Sequence, residues 1–336
     1  MYRVPFLQVL GPNGGDLVKI AGSALVGVKL IDRGGGESDE SFFTFTRKKP
    51  YPPTPAVGTP FTVKLGWSPT DVAVTGYYTF QRIHLLGNPK QGQSMQWICR
   101  AGDFLDHLKK VDSQHFDEET GHKTLGDLFK GLFPGQDVVV APEIAGKSIP
   151  GGYFLQWNQS AIDAATSIAE DNGAIVKPMG NKIVVMTRGS GESGTGKPLS
   201  TVTIKFDENY DYDVELEPRF EFQSVAASWW NPEDGKLLQE NKTTGFKASR
   251  DALPHPFITQ DAANSAAASA AQEWQAASAQ GLFTTHGEPA ATSNCPVRCT
   301  GFGSPIDDTK WQATSVEHDV IPNVGWTTTI ETELAE

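Results

Sequence analysis

The chain has 336 residues, 38% of them hydrophobic, with a net charge of −12 and a pI near 5.1. That length favours two or three domains, and an acidic surface repels phosphate backbones, which excludes sequence-specific nucleic-acid binding as an expectation. No apolar run approaches the ~20 residues that cross a bilayer, and the start, MYRVPFLQVLGPNGGDL, lacks the pattern of a secretion signal; the expectation is a chain that stays in the cytosol when made, without membrane insertion.

Residues 1–100 read as strands. LVKI, LVGVKLID, SFFTFT, FTVKLGW, GYYTFQRIHLL and SMQWICRA are rich in Val, Ile, Thr and aromatics, and Gly/Pro/Asp clusters separate them. Six short strands with close turns predict a small antiparallel barrel or sandwich. Residues 101–190 change character. TLGDLFKGLF sets Leu125, Leu128, Phe129 and Leu132 at helical spacing, with Thr124 and Asp127 as a capping-box start. SAIDAATSIAEDNGA predicts a second helix, capped by Ser160, with Ile162, Ala165, Ile168 and Ala169 inward and Asn172-Gly173 as the stop. AIVKPMGNKIVVM reads as a hairpin turning at Gly180-Asn181. The glycine-rich residues 191–198 are expected to be a flexible linker. Residues 199–336 return to strands, interrupted at about 231–290 by an excursion holding an alanine-rich helix that ends at Gly281.

The two ends echo each other. PFTVKLGWSPTD at 60–71 and PVRCTGFGSPID at 296–307 share Pro60/Pro296, Ser68/Ser304, Pro69/Pro305 and Asp71/Asp307 at an offset of 236. Each is followed by an aromatic-led strand, one ending at His84 and the other at His318. Two ordinary hairpins with Ser-Pro turns would also give this pattern. The duplication is the preferred reading, and it predicts two similar small antiparallel β-barrels flanking an α+β domain, with His84 and His318 at a shared structural position.

GESGTGKPLS at 191–200 starts like a phosphate-binding loop. Pro198 stands where that motif needs a Ser or Thr hydroxyl for Mg²⁺, and the β-branched PLSTVTIKF follows where a helix is required. His107, His115 and His122 lie in a charged stretch and read as solvated rather than as a metal site. Cys99, Cys295 and Cys299 cannot make a disulfide framework, and residues i and i+4 such as Cys295 and Cys299 face one side of a strand. The six carboxylates between Asp207 and Glu217 read as a solvated face. The expectation is no catalytic, metal or cofactor site, and no enzyme.

The opening PFLQV, LVGVKLIDRGGGESDESFFTFT, PAVGTPFTVKLGW, GYYTFQRIHLLGNP, LQWNQSAIDAATSIAEDNGA and WQATSVEHDVIPNVGWTTTIETEL together resemble the late control gene D family of tailed phages, in order along nearly the whole chain. The acidity and the long alanine-rich helix depart from it. That family resembles the hub of T-even phages and the N-terminal part of type VI secretion spike proteins. The resemblance implies a non-catalytic baseplate hub of a contractile phage tail or tailocin, assembled in the host cytoplasm and carried in the tail. It implies a homotrimer whose six barrels meet a hexameric tail tube or tube-initiator protein on one side and a trimeric spike on the other, with the tape-measure protein as a further partner; a wide negative lumen is an expectation from the net charge of −12 alone. A tail-associated peptidoglycan hydrolase and a spike fragment of a type VI-like system are the rival expectations.

Overall fold

The computed structural model describes residues 4–335 apart from 36–37, 50, 52, 91, 102–109, 180–181, 217–221 and 244–248. It is mainly β. The first strands are β1 (Phe6–Leu10), β2 (Leu25–Arg33), β3 (Glu40–Thr46), β4 (Pro60–Ser68), β5 (Asp71–Asn88) and β6 (Gly92–Arg100), with a short helix α1 (Leu17–Ala21) after β1. β3 shows the rule that builds them: Ser41, Phe43 and Phe45 are buried while their neighbours are half-exposed, the period-2 alternation of a strand with one face on a core. LVKI, expected as a strand, is α1 instead. The Asp16 carboxylate accepts from Val18 N and caps that turn, and Leu17 and Val18 pack on the first core. The missing strand is supplied by FLQVL, which pairs with β4.

The middle elements are β7 (Val111–Asp117), α2 (Leu125–Leu132), β8 (Asp137–Val140), α3 (Pro142–Ala145), β9 (Tyr153–Ser160), α4 (Ala161–Asp171), β10 (Ala174–Met179) and β11 (Lys182–Thr187). The capping box of Thr124 and Asp127 forms as expected, and the Ser160 hydroxyl accepts from Asp163 N to start α4. Ala164, Ala165, Ile168 and Ala169 are the buried stripe of α4, with Ile162 at its margin. Both helices pack with Val176, Ile183 and Val185 in one core. β10 and β11 pair with Met179 opposite Lys182, so two residues connect them; those two, Gly180 and Asn181, lie outside the described residues.

The rest of the chain is β12 (Val202–Lys205), β13 (Tyr212–Leu216), β14 (Phe222–Asn231), β15 (Lys236–Thr243), β16 (Ser249–Ala252), α5 (Gln260–Ala276), β17 (Ala279–His286), β18 (Pro296–Thr300), β19 (Trp311–Ile321) and β20 (Gly325–Leu334). β14, β15 and β16 form a separate sheet against which α5 packs. α5 ends at Ala276, short of Gly281, which instead sits in β17 opposite Thr332. A Cβ at Gly281 would lie 2.7 Å from the Phe283 ring, so this glycine permits close packing inside a strand and does not cap a helix.

Two sets of strands share one order. The first runs β1-β4-β5-β6-β3-β2 and the second β12-β18-β19-β20-β17-β13. Numbered within each set, both read first, fourth, fifth, sixth, third, second. β14 to β16 with α5 are inserted between the second and third strands of the second set. Register agrees with order. Phe61 opposes Tyr78 as Val297 opposes Trp311, which is the offset of 236 for β4 and β18. The following hairpins close at Asn88–Gly92 and Ile321–Gly325, an offset of 233, and the bulges at Gln81 and Thr314 fall at that same offset. One difference stands out: β1 is antiparallel to β4, whereas β12 is parallel to β18.

The offset of 233 corrects the expected equivalence of His84 and His318. His318 corresponds to Leu85, and His84 to Glu317. A shift of one residue turns a strand side chain to the other face. His84 is accordingly exposed and His318 buried.

Candidate functional site at the junction of the strand sets

β2 of the first set pairs antiparallel with β19 of the second, Val28 to Val320 through Arg33 to Ser315, and this joins both sets into one sheet. The cores interlock there. Val320 and Trp326 belong to the second set by sequence but lie in the first core. Trp326 stacks obliquely on Trp67 at 5.0 Å, and the Trp67 indole N–H donates to the Gly287 carbonyl at 3.2 Å. On the outer face the Lys29 ammonium pairs with Glu317.

Behind the junction lies a buried polar cluster contributed by three parts of the chain. Lys177 of β10 donates to Asp32 of β2, to the Ser293 hydroxyl at 3.0 Å, and pairs with Asp39 at 3.2 Å. Asp32 also accepts from Ser293 Oγ at 2.5 Å and Ser293 N at 3.1 Å. Asp39 accepts from Arg33 N at 2.9 Å. Burial opposes ionisation of Asp32, but the Lys177 charge and these hydrogen bonds outweigh it and hold the carboxyl low. Asp39 has less compensation: burial pushes it up to about 6. Burial likewise opposes the Lys177 charge, yet the two carboxylates raise its pKa. Tyr78 and His318 line the same cavity of about 610 Å³. Burial with the nearby carboxylates keeps the Tyr78 phenol protonated. With Lys177 held charged and Tyr78 held protonated, the cluster ties the first set, the middle elements and the second set together. Its members escaped the sequence reading, although a lysine inside the apolar strand AIVKPM is a local conflict that marks a buried charge.

His318 Nδ1 lies 3.0 Å from Thr328 Oγ1 and 3.3 Å from the Trp326 indole nitrogen. Burial holds the imidazole down, to about 4. The unfolded imidazole takes its proton near 6.5, so the stability this group contributes is complete above that pH and is lost as pH falls toward 4. Asp39 acts with the opposite sign over roughly the same window, because its raised pKa favours folding at the acid end. The comparison of wild type with His318→Gln isolates the histidine. Between pH 7 and pH 4 the wild type is expected to lose about 3 kcal/mol more in urea unfolding than the variant; equal slopes would exclude a buried neutral imidazole.

The other expected positions are dispersed. His115 lies on β7 beside Tyr153, His122 packs edge-on against Phe116, and His107 lies outside the described residues. Cys99 is buried in the first core, and Cys295 and Cys299 in the second; burial pushes their thiols up to about 12, 11 and 12. Asp213 and Glu215 point to solvent from β13.

The run GESGTGKPLS is folded, not an extended tether. Glu192 bridges Pro198 across a tight turn, and Ser193 N donates to Lys197 O at 2.8 Å. Gly194 packs so tightly that a Cβ would fall 2.2 Å from Val184 Cγ1. Asn294 staples the approach, accepting from Gly189 N and donating to Glu192 O at 3.0 Å. Gly194 serves here for close packing, and Gly191 and Gly196 supply positive φ at the turns, uses that sequence composition does not separate from flexibility.

No protein-family model matches the chain. It is 23% identical to the probable baseplate hub protein of Escherichia phage 186 over 363 residues, covering 96% of this chain and 91% of that protein. The 43 kDa tail protein of prophage MuSo2 from Shewanella oneidensis superposes with a TM-score of 0.71 at 14% identity, over 98% of each chain. The E. coli c3393 protein, a type VI secretion component described as similar to the T4 bacteriophage tail proteins gp27 and gp5, superposes with a TM-score of 0.56 at 9% identity, covering 98% of this chain and 77% of that one. The chain therefore has the fold of these tail and spike-related proteins.

Proposed function

We propose that the chain is a structural baseplate hub protein, a homotrimeric adaptor between a hexameric tail tube and a trimeric spike in a phage tail or tailocin. The observation that carries this reading is the repeated six-strand order within one chain. Three chains with two equivalent sets each present six similar surfaces, which is what a threefold object needs to meet a sixfold one. Similarity to a named hub protein over nearly the full length supports the same reading. Residues 1–100 and 199–336 would be the two hub barrels, the latter with its insertion at about 231–290, and 101–190 the peripheral α+β domain joined through 191–198. The tape-measure protein is a further partner, and assembly takes place in the host cytoplasm.

A peptidoglycan hydrolase needs two carboxylates facing each other across a cleft. The neighbouring carboxylates Asp32 and Asp39 are instead bound by one lysine at the junction. Light scattering of the purified protein, alone and mixed with its spike and tube neighbours, tests the hub reading. The expected mass is three protomers of 36.3 kDa. A chain that stays monomeric with both neighbours present overturns it.

A further inference from the structure

The repeat exposes an asymmetry. β5 and β19 hold the same place in their sets, down to the bulge. One flank of β19 is filled along its whole length, by β18 at Trp311–Gln312 and by β2 along Ser315–Val320. The same flank of β5 is filled by β4 only as far as Thr79; along Arg82–Asn88 no strand pairs there among the described residues. Exposure follows. Val316 and His318 are 0% and 2% exposed, while their counterparts Ile83 and Leu85 are 38% and 49% exposed. β13, the counterpart of β2, pairs only with β17 and leaves its far edge open among the described residues. Each chain thus contains one completed junction and the two unfilled halves of a second.

We infer, on the footing of the hub reading above, that β13 of one copy pairs antiparallel with the Arg82–Asn88 half of β5 in the next copy. The completed junction fixes the register. Val28 opposes the buried Phe43 as Tyr212 opposes the buried Phe283, so β2 maps onto β13. The pairs Leu30–His318, Asp32–Val316, Ile31–Glu317 and Val28–Val320 then become Val214–Leu85, Leu216–Ile83, Glu215–His84 and Tyr212–Gly87. One face of the new junction is apolar, with Leu216 on Ile83, Val214 on Leu85, and Tyr212 over the small Gly87. The other face sets Glu215 opposite His84 and diagonal to Arg82, positions that interact across strands. In the completed junction the base is on β2 and the acid on β19. In the open one the acids are on β13 and the bases on β5, so complementarity is kept with its sign reversed. The contact is head-to-tail, and under the threefold symmetry of the hub reading it closes into a ring that leaves no open edge of this kind. Exposed apolar residues on an unpaired edge are otherwise an aggregation hazard that native proteins avoid.

Cysteine variants read the register directly, since the native Cys99, Cys295 and Cys299 are all buried. Leu85→Cys and Val214→Cys, mixed and treated with a short thiol cross-linker, are expected to give a linked pair that neither variant gives alone. The double variant should link into closed trimers, whereas Leu86→Cys with Val214→Cys, on opposite faces, should not link. Independently, Leu85→Lys should reduce the assembly to the 36.3 kDa protomer, and Val214→Glu on the same chain should restore it. Trimers that form without the 85–214 link, or that survive Leu85→Lys unchanged, overturn the junction and leave the hub reading standing. A link from either position to the spike or tube protein in place of a second copy also overturns it. A chain that stays monomeric with both neighbours present removes the hub reading and the junction together.

Discussion

Replacing Lys177 by alanine is expected to destabilise the chain by about 3–5 kcal/mol, the usual loss when one partner of a buried ion pair is removed. Lys177 is 4% exposed and serves Asp32 and Asp39 at once. Without it, Asp32 and Asp39 both lose the ammonium that pairs with them. Protonation of Asp39 relieves part of the repulsion between them, and its pKa of about 6 rises further once the lysine is gone. The loss should therefore be larger at pH 8 than at pH 5. A triple variant, Lys177→Met with Asp32→Asn and Asp39→Asn, removes all three charges and should recover much of the stability. Urea unfolding at both pH values checks this; a loss below about 1 kcal/mol would show that the cluster does not brace the junction.

Trp326→Ala is expected to cost about 3–5 kcal/mol, as large-to-small changes at buried aromatics do. Its effect on cooperativity is the more informative result. Trp326 sits on a strand of the second set, is 3% exposed, and fills the first core beside Trp67. It also touches His318 at the back of the junction. Its removal takes away a large side chain that both sets share. Calorimetry of the wild type should show the two sets melting together, and Trp326→Ala should split that transition in two. A single transition shifted to lower temperature would mean that the β2–β19 ladder and the Lys177 cluster couple the sets without it.

The two effects differ in kind. The lysine acts through charge that must not be left unpaired, so its consequence depends on pH. The tryptophan acts through volume and packing, so its consequence should depend on pH only through the buried His318 that it touches. Measuring both at pH 5 and pH 8 separates the electrostatic part of the junction from the packed part.

Local rules were readable in the residues themselves. Thr124 with Asp127 and Ser160 before Ala161 fix helix starts, because caps act within one turn. Alternation in SFFTFT and GWTTTIETEL fixes which side chains face a core, because strand period is local. Pro198 after Lys197 ruled out a phosphate cradle, and the shared Pro, Ser-Pro and Asp positions at an offset of 236 pointed to the repeat. Cross-strand register was not readable. It placed His318 opposite Leu30, more than 280 residues away, and so buried it, while His84 in the matching segment stayed exposed. LVKI became a helical turn because Asp16 capped it, and Gly281 joined a strand because Phe283 needed the space. Lys177, Asp32, Asp39 and Ser293 are spread over 262 positions, and only the closed fold makes them neighbours. The sequence by itself determined most of the strands and the starts of α2 and α4, since these follow from contacts within a few residues, and it carried the hint of duplication. The tertiary structure alone decided which edges were filled and which remained open, since hydrogen-bonded pairing between distant strands sets that.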